Sequence, residues 1–428
     1  MPRQWSCEMS LQQIYVAALL VLVIGLSGML ASAQTFSVLH SFTGGPDGAH
    51  PLAGVTMDGA GNLYGTASLG GFGSGAVFEL ARRGSGWVVN PLYQFRGMPD
   101  GFFPEAGVTI APDGTLYGTT FYGGNAGYGC AQGGPVQCGT VFQLRPPATA
   151  CKTALCPWAE TQIYEFNNYP SLFWPNFGDL ILDRAGNLYG VANQGGSGRT
   201  EAGGVFRLAP SDGGWTETNI YEFQGTNDGG QPLGGVTFDS AGNLFGTTFG
   251  FGGLGNIPYG SVYELMPAGS GWTESTLYLF QNGQDGAFPK ANVIVDALGN
   301  LYGTTSYGGL GNGGTVFELA HTQSGWVFNI LYSLVGPIGR GSFSPLLMDA
   351  AGNLYGTTVG GGAFQQGSVF KLTYSQGGWT YNDLHDFTAG SDGRAPYGAL
   401  IVDASGNLYG TAGWGGSNGN GVVWEITP

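Results

Sequence analysis

Asp296-Ala297-Leu298-Gly299-Asn300-Leu301-Tyr302-Gly303 decides the fold of this chain, because near-copies of it recur from one end of the sequence to the other. The core Gly-Asn-Leu-Tyr-Gly stands at 61–65, 186–190, 299–303, 352–356 and 406–410. Variants are Gly114-Thr115-Leu116-Tyr117-Gly118 and Gly242-Asn243-Leu244-Phe245-Gly246. The seven aromatic positions, 64, 117, 189, 245, 302, 355 and 409, are spaced by 53, 72, 56, 57, 53 and 54 residues. A period of this size corresponds to one four-stranded propeller blade.

Each period holds four short β-type runs. The first is apolar and ends in Asp, as at Val55 to Asp58 and Val293 to Asp296; repeat two departs from it and carries its acid at Asp113. The turn Asp-x-x-Gly-Asn follows, where the Asp side chain bonds backbone N–H groups and Gly and Asn accept positive φ. The second run is Leu-Tyr-Gly-Thr, and its Gly marks a place where a ring or neighbouring sheet leaves no room for a Cβ. The third is Val-Phe-x-Leu, and the fourth runs from a Trp to Leu/Ile-Tyr-x-Phe, as in Trp272 to Phe280. After residue 33 no stretch keeps a helical period, so the class is all-β.

There are seven copies of runs one to three but six full copies of run four, and Phe36 to Phe42 matches the end of the missing one. A chain that begins with an outermost strand and ends one strand short closes a ring by pairing its two ends. The sequence therefore predicts a seven-bladed β-propeller of four-stranded blades over residues 34–428. Its N-terminal strand completes the last blade beside Val423 to Ile426. The long second spacing marks an insertion at about 124–157.

The combination Gly-Asn-Leu-Tyr-Gly-Thr-Thr, Gly-Gly and Val-Phe-Glu-Leu, clearest between Gly299 and Leu319, resembles the GloVer tandem-repeat family of exported bacterial proteins, and the likeness spans residues 35–428. More loosely, the strand order is similar to that of NHL-type propellers. The resemblance implies export and a propeller-like repeat, and transfers no activity or catalytic residue.

Glycine numbers 82 of 428 residues and is clustered at turns; only 10% of residues are charged, and the net charge is −15 with three lysines, Lys152, Lys290 and Lys371. Such a surface repels phosphate backbones and anionic lipid, so no nucleic-acid partner is expected. Arg3, the apolar run Ile14 to Leu30 and Ala31-Ser32-Ala33 fit a secretory signal over residues 1–33, with the mature chain starting at Gln34. An uncleaved anchor is the alternative, opposed by Gly25, Ser27 and Gly28 within the run. Cleavage would leave no transmembrane anchor, and the protein would be periplasmic or extracellular. It would also leave Cys130, Cys138, Cys151 and Cys156. The strand Thr140 to Leu144 separates the two pairs by roughly 15 Å, beyond the reach of a disulfide, so Cys130–Cys138 and Cys151–Cys156 are expected.

Two sets of residues are candidates for a ligand face. The loops from run four to run one carry Asp47, Asp100, Asp228, Asp285 and Asp392, each before Gly and a nearby Pro. These are first of all turn formers, with a carboxylate ring at the channel mouth as the rival reading, suited to sugar hydroxyls or Ca2+. The loops from run two to run three carry Tyr122, Phe249, Tyr307, Phe364 and Trp414, rings that either stack on sugar or peptide or fold inward to fill gaps between blades. Catalytic signals are weak. His40 and His385 replace a strand Tyr, while His50 and His321 fall in loops expected on opposite faces. Gly415 to Gly419 matches G-x-S-x-G and Gly250 to Gly255 matches G-x-G-x-x-G, but neither leads into a helix. No metal cluster or cofactor motif emerges. The reading is an exported, non-catalytic binding or cell-envelope interaction protein taking a glycan, peptide or envelope protein. A glycan- or lactone-acting propeller enzyme and a structural surface protein are the alternatives. An enzyme needs an acid or base that breaks the repeat inside a concave site, and every recurring Asp obeys the repeat.

Overall fold

The computed structural model describes residues 34–84, 86–124, 138–147, 157–166, 171–197, 201–250, 259–269, 271–335 and 341–428. They form seven four-stranded antiparallel sheets arranged as the blades of a propeller. The first blade is Thr56–Met57, Leu63–Ala67, Ala76–Arg83 and Gly86–Gln94, from the channel outward. The seventh is Ile401–Val402, Leu408–Ala412 and Val422–Thr427, and its outermost strand is Thr35–Ser41 from the other end of the chain. Phe36 lies opposite Ile426 and Val38 opposite Trp424, and after a bulge His40 meets Val423. The predicted closure is therefore present, with the N-terminal strand beside Val423 to Ile426 as expected. Most of the insertion at 124–157 lies outside the described residues. So do residues 1–33 and three of the four cysteines, Cys130, Cys151 and Cys156, and with them the expected pairing.

Each repeat residue has a mechanical reason. Asp58 accepts bonds at Oδ1 from Ala60 N and Asn62 N, both 2.9 Å, and at Oδ2 from Asn62 Nδ2 and Tyr64 OH. The same carboxylate-centred turn recurs at Asp183, Asp296, Asp349 and Asp403. Burial works against the Asp58 charge, but the bonds from Asn62, Ala60 and Tyr64 win and hold its carboxyl below the ordinary range. The glycine after the aromatic sits under the third-strand ring: a Cβ on Gly303 would lie 2.5 Å from Phe317 Cζ, and one on Gly65 2.7 Å from Phe78 Cζ.

The core lies between blades rather than within one. Phe78, Leu80 and Leu63 of the first blade pack with Tyr409 and Val423 of the last. Nearer the axis, the threonine hydroxyl after the repeat glycine donates to a carbonyl of the next blade. Thr66 reaches Ala106 O, Thr247 Ala291 O and Thr357 Pro396 O, and Thr411 closes the circle on Ala53 O at 2.7 Å.

Removing residues 34–42 leaves Val422–Thr427 as a bare edge. Urea unfolding of that truncation is expected to show a loss of several kcal/mol together with aggregation; an unchanged midpoint would reject closure by this strand. Gly303→Ala is expected to cost about 1–3 kcal/mol by driving a methyl into Phe317, measured the same way.

Candidate functional site at the channel mouth

The inner strands are short, and their approach segments line the central channel. Side chains alternate along an extended run, so positions two apart share a face. Counting back from the Asp that ends the first run, or from Ala111 in the second repeat, position minus six is Leu52, Glu105, Phe177, Leu233, Lys290, Phe343 and Tyr397. Six of these seven, all but Leu233, line a cavity of about 760 Å3 on the axis. Position minus four is Gly54, Gly107, Asp179, Gly235, Asn292, Pro345 and Ala399, and all seven line it. Small residues dominate this second ring because neighbouring backbones meet there; a Cβ on Gly235 would lie 2.7 Å from Asp179 O. At position minus three, Val108, Leu180 and Val293 pack into the core between blades, with Val108 and Leu180 also reaching the cavity wall.

Against this mostly apolar wall four polar side chains stand out at the minus-six and minus-four positions: Glu105 in the second blade, Asp179 in the third, and Lys290 and Asn292 in the fifth; Thr56, Thr109, Asp183 and Arg184, further along the chain, also line the cavity. Burial pushes the Glu105 carboxyl up to about 7. Asp179 opens onto the channel lumen yet is enclosed by the ring. That enclosure raises its carboxyl above the usual range, against the lowering effect of a bond from Gly107 N at 2.6 Å. The third blade has one residue more between Pro175 and Asp183 than the first has between Pro51 and Asp58. Here the hydroxyl ladder breaks. Val191 replaces the threonine, Thr119 Oγ1 of the second blade is buried with no partner among the described residues, and Gly107 N and Thr109 Oγ1 bond Asp179 and Leu180 instead. Lys290 is lowered to about 8 by burial, and its Nζ lies 3.5 Å from the Phe343 ring centroid and 5.6 Å from that of Phe249. Asn292 Nδ2 donates to Thr237 Oγ1 at 2.8 Å.

Above the cavity is an aromatic rim. In six blades the residue before the loop proline, or before Pro175 in the third, has a left-handed backbone: His50, Phe103, Trp174, Gln231, Phe288 and Ala395, with φ between 53° and 60°. The residue before proline ordinarily avoids compact conformations, so these are strained positions held by their bonds. His50 N donates to Asn420 O of the preceding blade and its carbonyl accepts from Ser68 N of its own; Phe288 does the same with Tyr259 and Ser306. His50 Nδ1 further donates to Gly413 O at 2.9 Å, fixing its tautomer.

The structure places the sequence candidates in two groups. Asp47, Asp100, Asp228, Asp285 and Asp392 each bond the side chain seven residues upstream on an outer strand: His40, Tyr93, Tyr221, Tyr278 and His385. Each also accepts a backbone N–H four residues upstream, as Asp100 does from Arg96 N at 2.8 Å. All five are occupied within their own loops, and none lines the cavity. Bonds from Thr43 and His40 hold the Asp47 carboxyl below the ordinary range despite its burial. Among the aromatics, Trp414 packs on His50 and Tyr397 at 5.5 and 5.4 Å, Tyr307 and Phe249 meet on Phe288, and Tyr122 joins Phe102, Phe103 and Trp174. Phe364 stands 56% exposed. His321 lies against Trp326 on a hairpin of the third and fourth strands. No group of three or more metal-ligating side chains occurs among the described residues.

Glu105, Asp179, Lys290 and Asn292 are thus acids, a base and an amide that break the repeat inside a concave site. Reading the recurring aspartates passed over them; the signal was the deviation at fixed distance from the turn Asp.

A seven-bladed ring built from one repeating unit, with its variation concentrated on the axis, defines a repeat-propeller protein. The chain belongs to the family described as the Gloeobacter/Verrucomicrobia repeat, whose model matches residues 175–380 and 322–428. No curated protein matches it. Among solved structures it is similar to one provisionally described as a gluconolactonase, at 13% identity and a TM-score of 0.41 over 94% of each chain. Another is an oxidoreductase of Thermus thermophilus provisionally described as a glucose dehydrogenase, at 13% identity and a TM-score of 0.44 over 92% of this chain and 100% of that one.

A carboxyl whose pKa is higher folded than unfolded binds more protons when folded, so its contribution to stability falls as pH rises from about 4 to its folded value. For Glu105 that window ends at about 7. Glu105→Gln is expected to flatten the stability profile across this window and raise the melting temperature by a few degrees at pH 8. Calorimetry at several pH values checks it; an unaltered profile would mean the carboxyl is freely hydrated.

Proposed function

We propose that this is an exported, non-catalytic binding protein of the cell envelope that receives the end of a glycan in its channel mouth. The observation that carries the reading is the aromatic rim standing over a cavity of about 760 Å3 whose few polar groups converge from separate blades. Flat rings bind the apolar faces of pyranoses, and isolated carboxylates and amides bind their hydroxyls. Trp174 Nε1 and Asn176 Oδ1, beside the rim, are buried and find no hydrogen-bond partner among the described residues, which adds a donor and an acceptor for the same purpose. Export is supported by the run Ile14 to Leu30 ahead of Ala31-Ser32-Ala33. Among the described residues no helix is long and apolar enough to cross a membrane.

A second reading, a glycan- or lactone-acting enzyme, is favoured by one observation: Glu105, raised to about 7, and Asp179 line one cavity as a general acid–base pair would. A product assay on cell-wall glycans with and without chelator separates the two, since turnover would displace the binding reading.

Trp414→Ala and Tyr397→Ala are expected to weaken retention on an immobilised glycan about tenfold each, given roughly 1–1.5 kcal/mol per aromatic contact, while Phe364→Ala leaves it unchanged. Retention by both rim variants equal to that of the parent would reject the channel mouth as the site.

A further inference from the structure

Lys290 and Glu105 occupy the same position of the repeat, three blades apart in a ring of seven, so they face one another across the lumen. The two sides differ in chemistry. On the fifth-blade side Lys290 rests on the face of Phe343, with Phe249 beyond it. The lysine makes no ion pair with any carboxylate among the described residues. On the other side Asp179 is pinned above Gly107 by its backbone bond, two residues from Glu105 on the same run. Arg184, an exposed residue just after the third blade's inner strand, also lines the cavity, so the two sides differ in what stands at the minus-six and minus-four positions: the Lys290 ammonium on one, the acceptors Glu105 and Asp179 on the other.

We infer, resting on the sugar-binding reading above, that the channel selects sugars of the uronic-acid class, with the carboxylate on Lys290 and ring hydroxyls donating to Glu105 and Asp179. A hydroxyl can donate to a carboxylate whereas a second carboxylate cannot, so a molecule with one acidic end and one hydroxylic end matches both walls in one orientation. A neutral sugar leaves the ammonium without an anion, and an amino sugar sets a second cation beside it. The net charge of −15 does not oppose this: surface charges more than about 8 Å away are largely screened at physiological salt, whereas a group enclosed in the channel is not. The apolar floor of Phe343 strengthens the pairing by keeping water from one side of the ammonium.

The test is calorimetric titration of the whole exported chain with glucuronate, galacturonate, glucose and glucosamine, on the parent, Lys290→Met and Lys290→Arg. A charge-assisted bond of this kind predicts that a uronate binds about tenfold or more tighter than glucose. Lys290→Met should abolish that preference, and Lys290→Arg should keep it. Should the methionine variant fail to fold, as read from its melting curve, Lys290→Gln serves in its place. Equal affinity for uronate and glucose in the parent, or a preference that survives removal of the ammonium, overturns this inference and leaves the sugar-binding reading standing. Absence of binding by all four sugars overturns both.

Discussion

A ring of seven wedges holds together only if the last wedge grips the first, and here that grip is a single antiparallel pairing between the two ends of the chain. Thr35–Ser41 and Val422–Thr427 share one sheet, with Phe36 opposite Ile426 and His40 opposite Val423. At smaller radius Thr411 Oγ1 donates to Ala53 O, so the seam is bonded near the axis as well as at the rim. The axial cavity exists because of this constraint. Its walls are drawn from Leu52 to Ile401, seven approach segments that no local structure would bring together.

Strength and variation are separated by radius. At the periphery the loop aspartates are engaged in their own turns, each bonded to an aromatic or imidazole seven residues earlier. Within each blade the repeat glycine and the ring of the third strand fit one another so closely that the glycine tolerates no added bulk. Toward the axis the packing demand eases, because a side chain there faces a lumen instead of a neighbour. Glu105, Asp179, Lys290 and Asn292 are found in that place, where desolvation is partial and a charge is tolerated.

Much of the fold was legible because its determinants are periodic. Gly-Asn-Leu-Tyr-Gly announces its turn and its covered glycine wherever it stands, and the count of fourth runs identified Phe36 to Phe42 as the missing strand. Of the loop aromatics, Trp414, Tyr307, Tyr122 and Phe249 pack on rings of neighbouring loops, contacts that the sequence left open. The polar walls were hidden for the opposite reason. Glu105 and Lys290 occur once each at a position that is otherwise apolar, so a search for recurrence discards them. Asp179 is further masked by the extra residue after Pro175, which shifts it against its counterparts. His50, Phe103 and Trp174 carry no sequence mark of their left-handed backbones, since those follow from bonds to two blades at once.

The approach segments carry one more implication. Each presents its minus-six side chain from a backbone already fixed by two neighbours, so that side chain can be exchanged without rebuilding anything beneath it. Leucine, glutamate, phenylalanine, leucine, lysine, phenylalanine and tyrosine, read around the circle, then behave like the tumblers of a lock. Members of such a lineage could acquire new ligands one tumbler at a time while inheriting the same barrel.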